Sequence, residues 1–131
     1  MSWPWSRGPL TRKALGALGE RHAARLLRAK GMRLLEGNFR ARRGEIDLIA
    51  RDRDVLVFVE VRTRTSEESL SPLASVDARK QGHIARAARA YRRARRLPEC
   101  YCRYDVVEVI ATPAGQVRDV RHIEGAFIEG M

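Results

Sequence analysis

Residues 44–62, GEIDLIARDRDVLVFVEVR, limit the folds open to this 131-residue chain more than any other stretch. Two runs rich in β-branched and aromatic residues, 45–50 and 55–62, flank Arg51-Asp52-Arg53-Asp54, which is all charge. That pattern predicts two strands joined by a polar turn. The second run is apolar on both faces until Glu60, so it is expected to be a central strand covered on both sides. A carboxylate at the end of such a strand is costly unless a partner or a cation meets it.

Parity brings in a second acid. If Ala50 pairs with Val55 across the turn, Asp47 lies opposite Phe58. Asp47 then shares a face with Phe58, Glu60 and Arg62, one diagonal step from Glu60. Two carboxylates and a cation would cluster at one edge of a buried hairpin. A one-residue slip would move Asp47 to the other face.

Charge points to the partner. The chain carries 26 basic residues against 16 acidic ones, a net charge of +10, and 23 of the 26 are Arg. The Lys are Lys13, Lys30 and Lys80. Such a surface favours polyanions, nucleic acid first and anionic membrane second. An Arg-biased coding composition is the bland alternative. No run approaches the ~20 apolar residues of a membrane span, and the N-terminus lacks the apolar segment of a signal peptide. No membrane association and a cytoplasmic location are expected. Cys100 and Cys102 are too close in sequence to bridge well, and His22, His83 and His122 are scattered, so free thiols are expected rather than a zinc site.

Taken in order, residues 1–10 read as a flexible tail and residues 11–131 as one domain. Thr11 caps a first helix that runs to about residue 30, where Gly31 ends it; its apolar stripe includes Leu15, Leu18, Ala23, Leu26 and Leu27. Glu20 sits at the stripe's border and by itself is a solvated or ion-paired helix Glu. Residues 32–39 read as a short strand, and 40–44 as a basic turn. Arg40, Arg42 and Arg43 there are either solvated or a phosphate clamp. Residues 63–76 read as a polar surface loop, a candidate substrate contact or lid. Arg64 follows Arg62 at its start as a further candidate phosphate contact.

Asp77 caps a second helix over 78–96. From Arg79 to Arg96 it holds eight basic residues and no acidic one, where a merely solvated helix would mix signs. Arg79, Arg86, Arg89 and Arg93 are candidate nucleic-acid contacts. Its apolar side is mostly Ala, too small for membrane insertion. Residues 103–110 form a strand in which Asp105 reads as structural, paired with Arg103 or a helix-borne Arg. A last edge strand covers 117–123, and 124–127 closes it.

Gly-Glu-Ile-Asp-Leu-Ile-Ala followed by Phe-Val-Glu-Val-Arg resembles the YraN-like family of uncharacterised bacterial proteins, as do Gly19-Glu20, Asn38-Phe39-Arg40, Lys80-Gln81 and Arg103-Tyr104-Asp105. The likeness runs from about Leu15 to Phe127. It implies an α/β, restriction-endonuclease-like αβββαβ core, a mixed central sheet flanked by helices. The wider superfamily includes archaeal Holliday junction resolvases. The resemblance therefore implies a metal-dependent nuclease acting on DNA, branched or damaged DNA included, and admits a homodimer. Asp47 and Glu60 match the acidic positions and, with the Val61 carbonyl, would hold Mg²⁺ or Mn²⁺; Glu20 would supply a third acidic group. Arg62 stands where the superfamily has Lys. A guanidinium stays protonated and cannot readily deprotonate water, although it can stabilise developing negative charge. Three readings stay open. Arg62 supplies the charge alone, Lys80 beside Gln81 takes over the lysine role, or the site is vestigial and the protein is a non-catalytic nucleic-acid-binding module.

Overall fold

The computed structural model describes residues 8–65 and 76–127. Thr11 starts the first helix, α1 (Arg12–Ala29), by accepting a hydrogen bond at Oγ1 from the Ala14 N–H at 3.1 Å. Gly31, at φ 91°, turns the chain out of it, a conformation glycine adopts without steric cost. Three strands follow: β1 (Arg33–Ala41), β2 (Gly44–Asp52) and β3 (Val55–Arg64). Asp77 caps α2 (Ala78–Ala94), with its Oδ1 2.9 Å from the Lys80 N–H. Strands β4 (Tyr101–Ala111) and β5 (Val117–Phe127) complete the chain.

The five strands lie in sequence order in one sheet. All neighbours are antiparallel except β3 and β4, which are parallel because α2 carries the chain back across one face. The sheet is therefore mixed, as expected, and β3 is its central strand. Ala23 and Leu27 of α1 pack on Val57, Val59, Val107 and Val109 on one face. Ile84, Ala88 and Tyr91 of α2 pack on Phe58, Tyr104 and Val106 on the other. Glu60 thus lies within a strand that is covered by a helix on each side.

Several boundaries differ from the sequence reading, each for a local reason. The basic turn is only Arg42-Arg43, because β1 and β2 pair through Ala41 and Gly44. The hairpin turn is only Arg53-Asp54, with Asp52 opposite Val55. Arg53 meets the tight turn with a φ of 57°. β5 continues through Phe127 past a bulge, where Gly125 at φ 61° turns its N–H to Asp105 Oδ1 at 3.0 Å. α2 stops at Ala94, short of residue 96, where Arg96 takes a φ of 50°. Leu10, assigned to the flexible tail, donates its N–H to Pro113 O at 2.8 Å and so ties the entry of α1 to the β4–β5 turn. The rest of that tail, and most of the surface loop expected over residues 63–76, lie outside the described residues; Thr63 and Arg64 end β3.

Candidate functional site

The site begins where the ladder between β2 and β3 stops. Pairing runs from Asp52↔Val55 to Leu48↔Val59, one step short of Asp47 and Glu60. Ala50 pairs with Val57, not with Val55 as the sequence suggested. The tighter turn shifts the register by two residues, which preserves side-chain parity, so the conclusion that Asp47 and Glu60 neighbour each other survives the wrong pairing. Beyond Leu48 the strands part. Asp47 reaches across the gap, and its Oδ2 accepts the Val61 N–H at 2.7 Å. A side chain has taken the place of a ladder carbonyl, and this both satisfies β3 and anchors the carboxylate.

The parted strands open a cleft of about 730 Å³ lined by Glu20, Asp47, Val61, Arg62 and Thr63. Helix α1 reaches its rim because Gly19 lies against Thr63. A Cβ at position 19 would collide with Thr63 Oγ1, so glycine lets the helix carry Glu20 this close without displacing the Thr63 side chain. Gly16, one turn earlier, has open space where a Cβ would stand.

All three carboxylates are strained as anions. Glu60 is 5% exposed. Burial first, then the neighbouring Asp47 charge, pushes its carboxyl up to about 7, against the opposing pull of Lys80 and Arg62. Asp47 is raised chiefly by burial and then by Glu45, with the Val61 N–H opposing. Glu20 is raised by burial and by Asp47, while a hydrogen bond from Asn38 opposes. Such a group of acids gains from a cation. The donors are all oxygen, which suits a hard divalent ion such as Mg²⁺ or Mn²⁺. Among the described residues, no three His, Cys, Asp or Glu side chains gather into a closed set of ligands. Mg²⁺ does not require one, since one or two carboxylates plus water and substrate oxygens suffice. Asp47 and Glu60, with Val61 beside them, fit that requirement.

Two cations reach Glu60 Oε1. Lys80 Nζ, from the first turn of α2, lies 3.5 Å away, and Arg62 Nη1 lies 3.9 Å away. A lysine of the neighbouring helix and an arginine of β3 thus approach the same carboxylate oxygen. Gln81 is not brought to the carboxylates; its Nε2 donates to Val76 O at 2.9 Å and secures the chain entering α2. Arg64 lines the cleft but pairs with the buried Glu108 at 3.3 Å. Arg40 is exposed and lies 3.5 Å from Glu45. Arg79 is exposed on α2. Arg42, Arg43, Arg86, Arg89 and Arg93 line one groove beside α2.

Three contributors escaped the sequence reading as site residues. Asn38 is a non-glycine residue at φ 53° and holds Glu20. Glu45 adds negative charge to both Asp47 and Glu20. His83 lines a hollow of about 310 Å³ with Lys80 and Arg40. Asn at a strained strand position was the one available signal, since Asn tolerates the left-handed region; the other two depend on which elements pack together.

Related bacterial chains share much of this sequence. The sequence is 43% identical over 116 residues to a UPF0102 protein of Pelotomaculum thermopropionicum, covering 88% of this chain and 97% of that one. It is 46% identical over 118 residues to one from Chlorobium phaeobacteroides, covering 87% and 94%. With a Moorella thermoacetica relative it shares 43% over 118 residues, covering 90% and 98%. The sequence profile of the uncharacterised protein family UPF0102 matches residues 19–109, which span Glu20, Asp47, Glu60 and Lys80. The chain belongs to that family, UPF0102.

Proposed function

We propose that the protein is a metal-dependent nuclease that hydrolyses phosphodiester bonds in DNA. The observation that supports this most is the lysine: Lys80 Nζ lies 3.5 Å from Glu60 Oε1, and Asp47, the acid that neighbours Glu60, lines the open cleft. Asp47 and Glu60 would hold Mg²⁺ or Mn²⁺, with the Val61 carbonyl as a further ligand. When bound, the ion supplies Lewis-acid stabilisation of the phosphoryl oxygens. Lys80 orients the attacking water by hydrogen bonding and stabilises charge that develops on the phosphoryl group. Arg62, permanently protonated, holds a phosphate oxygen. Glu20 closes the acidic side of the cleft from α1.

The test is cleavage of supercoiled, linear, single-stranded and branched DNA with Mg²⁺, Mn²⁺ or EDTA. Metal-dependent cutting by the wild type, lost in Asp47→Asn and Glu60→Gln, supports the reading. Absence of cutting on every form, with DNA binding retained, overturns it.

A second reading, a non-catalytic nucleic-acid-binding module, is favoured by one observation. Glu60 already has two cationic partners, Lys80 and Arg62, so part of its demand for positive charge is met without a metal.

A further inference from the structure

A groove of about 270 Å³ runs between the β1–β2 turn and α2. Arg42 and Arg43 come from the turn, and Arg86, Arg89 and Arg93 come from the helix. The rest of the lining is Ala41, Ala87 and Ala90, so the groove holds five arginines, no acid and no aromatic ring. Among the described residues, Arg42, Arg43, Arg86 and Arg93 have no acidic partner; elsewhere on this surface arginines do, as Arg95 does with Glu36 at 2.6 Å. Gathering unpaired guanidinium groups costs free energy through mutual repulsion, and an incoming polyanion removes that cost.

One backbone feature builds the groove from two separate segments. Gly44 lies against the His83 carbonyl of α2, and a Cβ there would collide with it. Only glycine lets the β1–β2 turn sit this close to the helix, which brings Arg42 and Arg43 beside Arg86 and Arg89. The groove also meets the hollow lined by Lys80 and His83, since Ala41 lines both. The arginine groove and that hollow, which also holds Arg40 and Glu45, are thus neighbours along α2, on the side that carries Lys80.

We infer that this groove holds the sugar–phosphate backbone of duplex DNA flanking the cleaved position. Two observations select duplex over single strand. Sites for single strands combine basic grooves with aromatic platforms on which bases stack, and this lining has none. Arg86, Arg89 and Arg93 recur at helical spacing and rise ~10 Å along α2. Over that length one strand of a regular duplex presents about three phosphates. The contact carries no base information, so it serves any sequence. The inference rests on the nucleic-acid part of the reading above and not on its catalytic part.

The experiment measures binding of the full chain to a fluorescent 20-base-pair duplex and to either single strand. It is done by anisotropy in EDTA over a range of salt concentrations. The wild type should prefer the duplex. Arg86→Ala/Arg93→Ala and Arg42→Ala/Arg43→Ala should each lower the steepness of log K against log salt by about 2, since each phosphate contact contributes about 0.9. Gly44→Ala should weaken duplex binding while leaving all five arginines in place, and circular dichroism confirms that this variant folds. Unchanged slopes in both double variants, or equal or tighter binding of single strands, overturn the inference. Because no divalent ion is present, the result is independent of cleavage. A wild type that binds through these arginines but never cuts sinks the nuclease and keeps the groove, whereas cutting with unaltered slopes does the reverse.

Discussion

Asp105 and Glu60 are buried almost equally, at 0% and 5% exposure, on adjacent strands of the same sheet. Asp105 pairs in register with Val59, the residue before Glu60. Their surroundings could hardly differ more. Burial would raise the Asp105 carboxyl, yet its partners hold it below the usual range. His122 Nε2 lies 2.8 Å from Oδ2, Arg103 grips both oxygens at 2.9 and 3.1 Å, and the Gly125 N–H adds a fourth contact at 3.0 Å. His122 is itself held from behind by Lys30 Nζ at 2.8 Å from Nδ1. Among the described residues, Glu60 has two looser cations at 3.5 and 3.9 Å, and a second acid beside it. Depth of burial is therefore not what separates these two carboxylates. Completeness of pairing is: four contacts satisfy Asp105 within the fold, whereas the looser partners of Glu60 leave it capacity for a further cation.

The largest expected effect attacks the satisfied side. Asp105→Ala leaves Arg103 and His122 without their shared partner and should cost about 3–5 kcal/mol of stability in denaturant unfolding. Divalent ions should not restore it. A variant of full stability that has lost only cleavage would reverse the contrast and make Asp105 the functional acid.

On the unsatisfied side, Lys80→Ala should slow cleavage by roughly 10²–10³-fold, the usual worth of one group that stabilises developing charge. Arg62→Lys should preserve or raise the rate. If Arg62→Ala abolishes cutting while Lys80→Ala does not, the lysine function has not moved to α2. Single-turnover kinetics at saturating metal separate these outcomes.

A pH titration of stability sharpens the comparison further. Folded Glu60 keeps its proton to about 7, while the unfolded chain releases it near 4.5. Between these values the folded state binds more protons, so stability without metal should fall as pH rises, by no more than about 3 kcal/mol. Below about 4.5 this contribution is fully present. Glu60→Gln should flatten that window, and Mg²⁺ should raise the wild-type Tm at pH 8 but not that of the variant. Asp105 acts with the opposite sign, because its depressed carboxyl contributes stability that is lost as pH falls into the acid range. A Glu60→Gln profile with the wild-type slope between pH 4.5 and 7 would locate the titrating group elsewhere.

The smallest effect tests how α1 is joined to the acidic end. Gly19→Ala drives a Cβ into Thr63 Oγ1 and should cost roughly 1–3 kcal/mol, with a parallel drop in cleavage as Glu20 is displaced. Thr63→Ala in the same background should recover most of both. Failure of that rescue would mean that the strain lies along the helix rather than at the β3 contact.

Much of this molecule was legible in its residue order because the forces involved are local. Alternation and turn chemistry identified both strands of the central hairpin, and Thr11 and Asp77 announced their helices through capping. The run of cations without acids along α2 was equally plain in the residue order. Even the error in the hairpin register was harmless, since a shift of two residues leaves every side chain on its own face. Tertiary structure alone decided the rest. That Lys80 from α2 reaches Glu60 of β3, that Glu20 comes over the cleft through Gly19 and Thr63, and that Gly44 joins two arginine clusters all depend on distances between segments far apart in the chain. His122 and Lys30 were unremarkable letters until β5 and the end of α1 set them in line with Asp105. Periodicity and capping are written within a few residues, whereas the pairing state of a buried charge depends on what the whole fold packs around it.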